Sequence, residues 1–177
     1  MSTMRICMLT SLLARTASLR PAVAPASRAT STRRAAAADP FAENRAPIVL
    51  YDGVCRMCNF WVDWVLDNDP TAKLRFAALQ SPAGRRLLER SGRKPDDISS
   101  IVLVTPEKAF IKSEAVLEIG KQLSITTPLA NIAQGVVPRA IADAAYDTIA
   151  NNRYNIAGKR SYRDSDARLA ERFLSED

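Results

Sequence analysis

Histidine is absent from the 177-residue chain. That absence removes an imidazole general base, the Ser-His-Asp and Cys-His arrangements, and every His metal ligand. Any chemistry must run on thiol, carboxylate, amine, hydroxyl or backbone groups. Cysteine is scarce as well, with only Cys7, Cys55 and Cys58. Two neighbouring cysteines without histidine cannot supply the usual four ligands of a structural zinc within one chain. No apolar run approaches ~18 residues, so no membrane-spanning helix is expected.

Acidic residues are missing from positions 1–38, which are rich in Arg, Ser, Thr and Ala. This is the profile of an organellar transit peptide, expected over residues 1–40 with processing near 34–40. The Ser/Thr/Ala content and the prolines Pro21 and Pro25 point to a chloroplast, with the mitochondrion as the alternative. Processing there would remove Cys7. The formal charge of +6 sits mostly in this segment: residues 1–46 carry seven arginines against Asp39 and Glu43. The remainder is close to neutral, which disfavours nucleic acid as a partner.

What remains is one domain's worth of chain with 47% apolar residues. "APIVLYDG" (46–53) reads as a buried strand, and "VCRMCNFWVDWVLDND" (54–69) as a helix ended by Pro70. On that helix Val54, Met57, Cys58, Trp61 and Val65 form an apolar face. Arg56, Asn59, Asp63 and Asp67 form a polar one. "KLRFAAL" (73–79) is a second strand, joined to the first through a helix and therefore parallel to it. "SPAGRRLLERSG" (81–92) is a helix with Ser81 as N-cap, Pro82 at its first position and Gly92 after its end. "SIVLV" (100–104) and "FIKS" (110–113) form a hairpin. Helices follow over 113–123, capped by Ser113, then 128–137 and 138–154. A polar loop and a possible terminal helix at 166–174 complete the chain. The order β-α-β-α-β-β-α with a helical extension is that of a thioredoxin-like α/β fold. The domain is expected over 46–160, with residues 161–177 as a tail.

The stretch "YDGVCRMCN" (51–59) carries the chemistry. Residues i and i+3 of a helix share a face about 5–6 Å apart, within the span a disulfide needs. Such a small ring stabilises a fold little, so the pair suits a switch better than a staple. Cys55 falls in the first turn, where free backbone N–H groups and the helix dipole favour a thiolate. Arg56 adds positive charge. Cys58, one turn in, is expected to be more buried and less acidic. Cys55 then attacks a disulfide and Cys58 resolves the mixed disulfide. Asp52 has two readings: a helix cap or turn residue, or a carboxylate that relays a proton as the dithiol opens. Gly53 is expected to permit a turn with positive φ. Two other functions stay open for the same residues. Two thiolates suit a soft Cu(I) ion, making a copper carrier; alternatively, the domain is a redox-inactive interaction module. Trp61 and Trp64 are expected to pack in the core and on the surface. Tyr146, Arg153 and Tyr154 could form a polar cluster, with helix-end capping as the default.

The motif Asp52-x-x-Cys55-x-x-Cys58 resembles that of the DCC family of predicted thiol-disulfide oxidoreductases. "VLYDGVCRMCN", "LRFAALQS", "SEAVLEI" and "AYDTIANNRYNIAGK" are similar to that family's pattern, in the same order, over about residues 46–160. The resemblance implies a thioredoxin-like fold and a dithiol/disulfide activity at Cys55 and Cys58, with Asp52 as the remaining signature position. It requires no cofactor and no metal. Its partners would be protein thiols and disulfides and an electron donor. The chain departs from thioredoxins themselves in two places. Arg56-Met57 replaces Gly-Pro between the cysteines, and Ser99-Ser100 stands before the third strand where thioredoxins have a cis-proline.

Overall fold

A computed structural model describes residues 39–163 and 167–174. The acid-free segment and Cys7 lie outside them. The chain runs β1 (Ile48–Tyr51), α1 (Arg56–Asp67), β2 (Arg75–Ala78), α2 (Pro82–Arg90), β3 (Val102–Val104), β4 (Ala109–Ile111), α3 (Lys112–Gln122), α4 (Thr127–Val136) and α5 (Arg139–Ala157). A 3₁₀ turn, Ala167–Arg172, stands where a terminal helix is expected. The four strands form one sheet in the order β2-β1-β3-β4. β1 and β2 are parallel, and the other pairings are antiparallel. This mixed α/β arrangement of a four-stranded sheet with five helices is the architecture expected of a thioredoxin-like domain.

Side chains alternate across a strand, and here both faces are covered, which is why β1 reads as a continuous apolar run. Val49 and Tyr51 join Phe76 and Leu103 under Val62, Val65 and Ile119. Ile48 and Leu50 face the other way, onto Leu87, Leu88 and Phe41. Helix α2 is capped as the sequence indicates: Ser81 Oγ accepts from the Gly84 amide at 2.9 Å. That helix lies very close to β2, and a Cβ on Gly84 would fall 2.0 Å from the Ala78 carbonyl oxygen.

The tail docks on the edge of β2. The Leu174 amide donates to Phe76 O at 2.8 Å, and buried Arg172 bonds Leu74 O and pairs with buried Asp69. Ser113 does not cap α3. The helix begins at Lys112 after Ile111, and the Ser113 hydroxyl donates to Asp143 of α5. Pairing between α3 and α5 takes precedence over the local cap. No helix among the described residues is long and apolar enough to cross a membrane.

Candidate active site

The reactive turn is built from the end of β1 and the start of α1. The Asp52 carbonyl accepts from the Cys55 amide at 3.2 Å, and Asp52 Oδ1 accepts from the Val54 amide at 3.1 Å. An aspartate that folds its own turn this way is a common local solution. The chain thereby presents Cys55 as the N-cap of α1, one position earlier than the first turn. Its sulfur accepts from the Cys58 amide at 3.2 Å, in the place usually held by a Ser or Asp oxygen. Both cysteines are free thiols.

The two thiols are unequal. The Cys58 side chain donates to the Cys55 sulfur and lowers its pKa to about 7. Burial and the charge of Asp52 oppose that shift, while the Cys58 amide and Arg153 reinforce it. The same hydrogen bond, with burial and the neighbouring thiolate, pushes Cys58 far up. The acidity order matches expectation, but the exposure order does not. Cys55 has no accessible surface, whereas Cys58 is partly exposed.

The cause is a backbone strap, residues 158–163, laid over the turn in the region expected to be a free polar loop. Lys159 pairs with Cys55 in an antiparallel bridge. The Arg56 amide donates to Gly158 O at 3.3 Å, Arg160 to Val54 O at 2.9 Å and Arg163 to Gly53 O at 3.1 Å. The strap begins at Gly158, which ends α5 with φ +76°. It also explains Gly53, which does not adopt a positive φ. A Cβ there would lie 2.5 Å from the Arg163 carbonyl and 2.9 Å from the Tyr162 ring. Close approach of another chain segment, not turn geometry, requires the glycine.

Asp52 is buried, and its carboxylate is fully engaged. Oδ1 accepts from Gln80 Nε2 at 2.7 Å. Oδ2 accepts from Arg153 Nε at 3.2 Å and Nη2 at 3.1 Å, and from the Tyr154 hydroxyl. Burial alone would raise this carboxyl. The bonds from Tyr154, Gln80, Val54 and Arg153 outweigh it and hold the pKa below the ordinary value. Tyr154 is pushed up to about 12 by burial and by the carboxylate it faces. Arg153 and Tyr154 thus form the polar cluster the sequence allowed, and helix-end capping is not their principal role. Tyr146 stands apart from the carboxylate: its hydroxyl accepts from the Ile101 amide at 2.8 Å.

Two residues of the site were not anticipated. Gln80 joins Asp52 to the turn, since its Oε1 accepts from the Gly53 amide at 3.1 Å; its only signal was its place in "LRFAALQS". Asn59 was assigned to the polar face of α1 yet is buried. Its amide nitrogen reaches the carbonyl oxygens of Asp52, Gly53 and Cys55, the last at 2.7 Å. Phe60 is 71% exposed instead, so the buried face of the helix is rotated from the apolar stripe. Trp64 is at the surface, and Trp61 lies partly buried against the core.

Beside Cys58 opens a cavity of ≈ 320 Å³. Its walls include Met57, Trp61, Ile98, Ile101, Tyr146 and Ile149. Ser99 and Ser100, in the place of the thioredoxin cis-proline, line it too. Among the described residues, no three His, Cys, Asp or Glu side chains gather as a metal site.

Known proteins resemble this chain across the same region. The sequence model of the family described as DCC1-like thiol-disulfide oxidoreductase matches residues 49–159. A protein of Arabidopsis thaliana named "DCC family protein, chloroplastic" is 48% identical over 119 residues, covering 67% of this chain and 69% of that one. The Bacillus subtilis protein YuxK, named as uncharacterized, is 33% identical over 114 residues, covering 64% and 82%. No solved structure matches significantly.

Proposed function

The chain belongs to the DCC1-like thiol-disulfide oxidoreductase family, and from that premise we propose that Cys55 and Cys58 cycle between dithiol and disulfide in exchange with protein thiols and disulfides. The observation that carries the reading is the asymmetry of the pair at the head of α1. One sulfur takes a helix-end amide at 3.2 Å and is acidified to about 7, and its neighbour is held protonated. A thiolate near neutral pH is the attacking species.

Cys55 Sγ attacks one sulfur of a substrate disulfide. That S–S bond breaks, and the departing sulfur leaves as a thiolate that takes up a proton. Cys58 then loses its proton and attacks Cys55 Sγ. The mixed disulfide breaks, the substrate leaves reduced, and the two electrons have come from the Cys55/Cys58 pair. Run backwards, the same steps oxidise a dithiol. Cys55 has no accessible surface and its backbone is paired with the strap, so access to it requires residues 158–160 to lift from 54–56.

Asp52 serves this cycle as a permanently charged positioning group. A carboxylate held low by four donors does not take a proton at neutral pH. It fixes the turn and brings Arg153 to the thiols, where its own charge raises Cys55 and that of Arg153 lowers it. A plastid location goes with the proposal, supported by the Arabidopsis relative's name.

The test is an equilibration of the protein in dithiol/disulfide buffers, read by mass after alkylation. A reversible Cys55–Cys58 disulfide is expected. The Cys58→Ser variant should accumulate mixed disulfides through Cys55. A protein that forms no such disulfide at any potential, or instead binds one Cu(I) per chain and traps nothing, overturns the reading.

A further inference from the structure

The cavity beside Cys58 asks for a ligand of its own. At ≈ 320 Å³ it is about twice the size of an engineered apolar cavity of about 150 Å³ that takes up benzene. It therefore has room for a fused bicyclic ring, more than a single apolar side chain fills. The mouth is apolar: Val116 and Ile149 line it and are 37% and 50% exposed. Of its charged residues, Asp52 and Arg153 already pair with each other at 3.1 Å. One donor remains. Tyr146 Oη accepts from the Ile101 amide, and its own O–H makes no hydrogen bond to a described residue. It is a proton donor on an apolar wall, suited to a carbonyl oxygen.

The same wall carries the only partly exposed sulfur of the pair, Cys58. A polypeptide cannot reach Cys55 while the strap is in place. Nor can an extended peptide use the Ile101 amide as a pairing edge, since Tyr146 occupies it. A flat ligand entering the cavity meets the Cys58 sulfur, the one of the pair that lines it, without either obstacle. The chemistry that fits an apolar bicyclic space, a hydrogen-bond donor to a carbonyl and a sulfur of a redox pair in the wall is that of a quinone.

We propose that this cavity binds a quinone head group and that the Cys55/Cys58 dithiol is its electron donor. The proposal rests on the dithiol/disulfide reading above. In the step, the S–H bonds of Cys55 and Cys58 break and an S–S bond forms between them. Two electrons and two protons pass to the quinone, which becomes a hydroquinone. The Tyr146 O–H donates to the oxygen on which negative charge develops.

The probe is 2,3-dimethyl-1,4-naphthoquinone, whose substituted ring prevents a thiol from remaining attached. Incubated without oxygen with the reduced full chain, it should yield one hydroquinone and one Cys55–Cys58 disulfide per protein. Binding to the Cys55→Ser/Cys58→Ser double variant should quench the fluorescence of Trp61. The Tyr146→Phe variant should lose about fivefold in the rate of probe reduction, the worth of one neutral hydrogen bond. Val116→Phe at the mouth should lower the ratio of probe reduction to glutathione disulfide reduction by about tenfold or more, as expected for added bulk in an apolar pocket.

A chain that forms the disulfide with glutathione but neither binds nor reduces the probe overturns the quinone proposal and leaves the dithiol couple standing. Probe reduction unaffected by both variants places the reaction outside the cavity and overturns it equally. If the probe is ignored while peptide disulfides carrying Leu or Phe beside cysteine react faster, and Val116→Phe abolishes that preference, the cavity is a side-chain pocket and the proposal is wrong. Failure to form a Cys55–Cys58 disulfide with any oxidant strikes the underlying reading instead.

Discussion

Asp52 and Arg153 stand 101 residues apart in the chain and meet in a two-point contact, with Nε 3.2 Å and Nη2 3.1 Å from the same carboxylate oxygen. Their side chains keep only 3% and 11% of their exposure. Removing one partner of a withdrawn ion pair leaves the other charge uncompensated, which costs about 3–5 kcal/mol. Asp52→Asn should lower stability by that order in urea unfolding with an unchanged slope. An Asp52 that acted only as a proton relay would leave stability intact and slow exchange alone.

The pH dependence of stability should carry the same pair's signature. The folded carboxyl lies below its ordinary value, so its contribution is fully present above about pH 4. It is lost as pH falls through the folded pKa. Acid unfolding of the Asp52→Asn variant, followed by circular dichroism, should therefore be less steep below pH 4 than that of the parent protein.

Cys55 should titrate near 7, visible as thiolate absorbance at 240 nm in the reduced protein. The main cause is the bond from the Cys58 thiol, so Cys58→Ala should move the midpoint up toward the ordinary value of 9.0. Asp52→Asn should move it down, since the lost charge was raising it. A folded pKa below the unfolded one adds stability that is complete above the unfolded value and is lost as pH falls through the folded one. Between pH 7 and 9 the thermal midpoint of the reduced protein should rise with pH relative to that of Cys55→Ser. An identical pH response in the two proteins would mean that Cys55 is not acidified.

Gly53→Ala should separate the strap from the turn. The added methyl meets a carbonyl oxygen at 2.5 Å and a ring at 2.9 Å, and a contact that tight forces movement. The expected cost is about 1–3 kcal/mol, the range for overpacking. The expected gain is faster alkylation of Cys55 by iodoacetamide at fixed pH. Slower or unchanged alkylation would indicate that the strap does not govern access to the sulfur.

Much of this was legible from local patterns. The apolar runs around Val49, Phe76 and Leu103 identify the strands because two covered faces leave no polar alternation. Ser81, Pro82 and Gly92 mark the ends of α2 because caps act over three or four residues. Cys55 and Cys58 announce themselves by spacing. Most of the misread features depend on distant contacts, and Asn59 on the carbonyls that the turn just before its helix leaves open. Ser113 turns to Asp143, Gly53 yields to Arg163, and Asn59 folds inward to bind carbonyls of the reactive turn. The exposure of Cys55 was misjudged because its cover comes from Lys159. Periodicity along α1 carries no record of a segment a hundred positions later.

That distance has a consequence for the order in which the protein is made. Synthesis runs from the N-terminus, so both cysteines emerge long before Arg153, Tyr154 and the 158–163 strap exist. The nascent chain holds an uncovered dithiol, with its aspartate still lacking two of its partners. A chain stopped after α4 would contain every strand and the whole Asp-x-x-Cys-x-x-Cys motif, and still lack a finished site. The reactive turn is the first part of the site to be translated and the last to be closed.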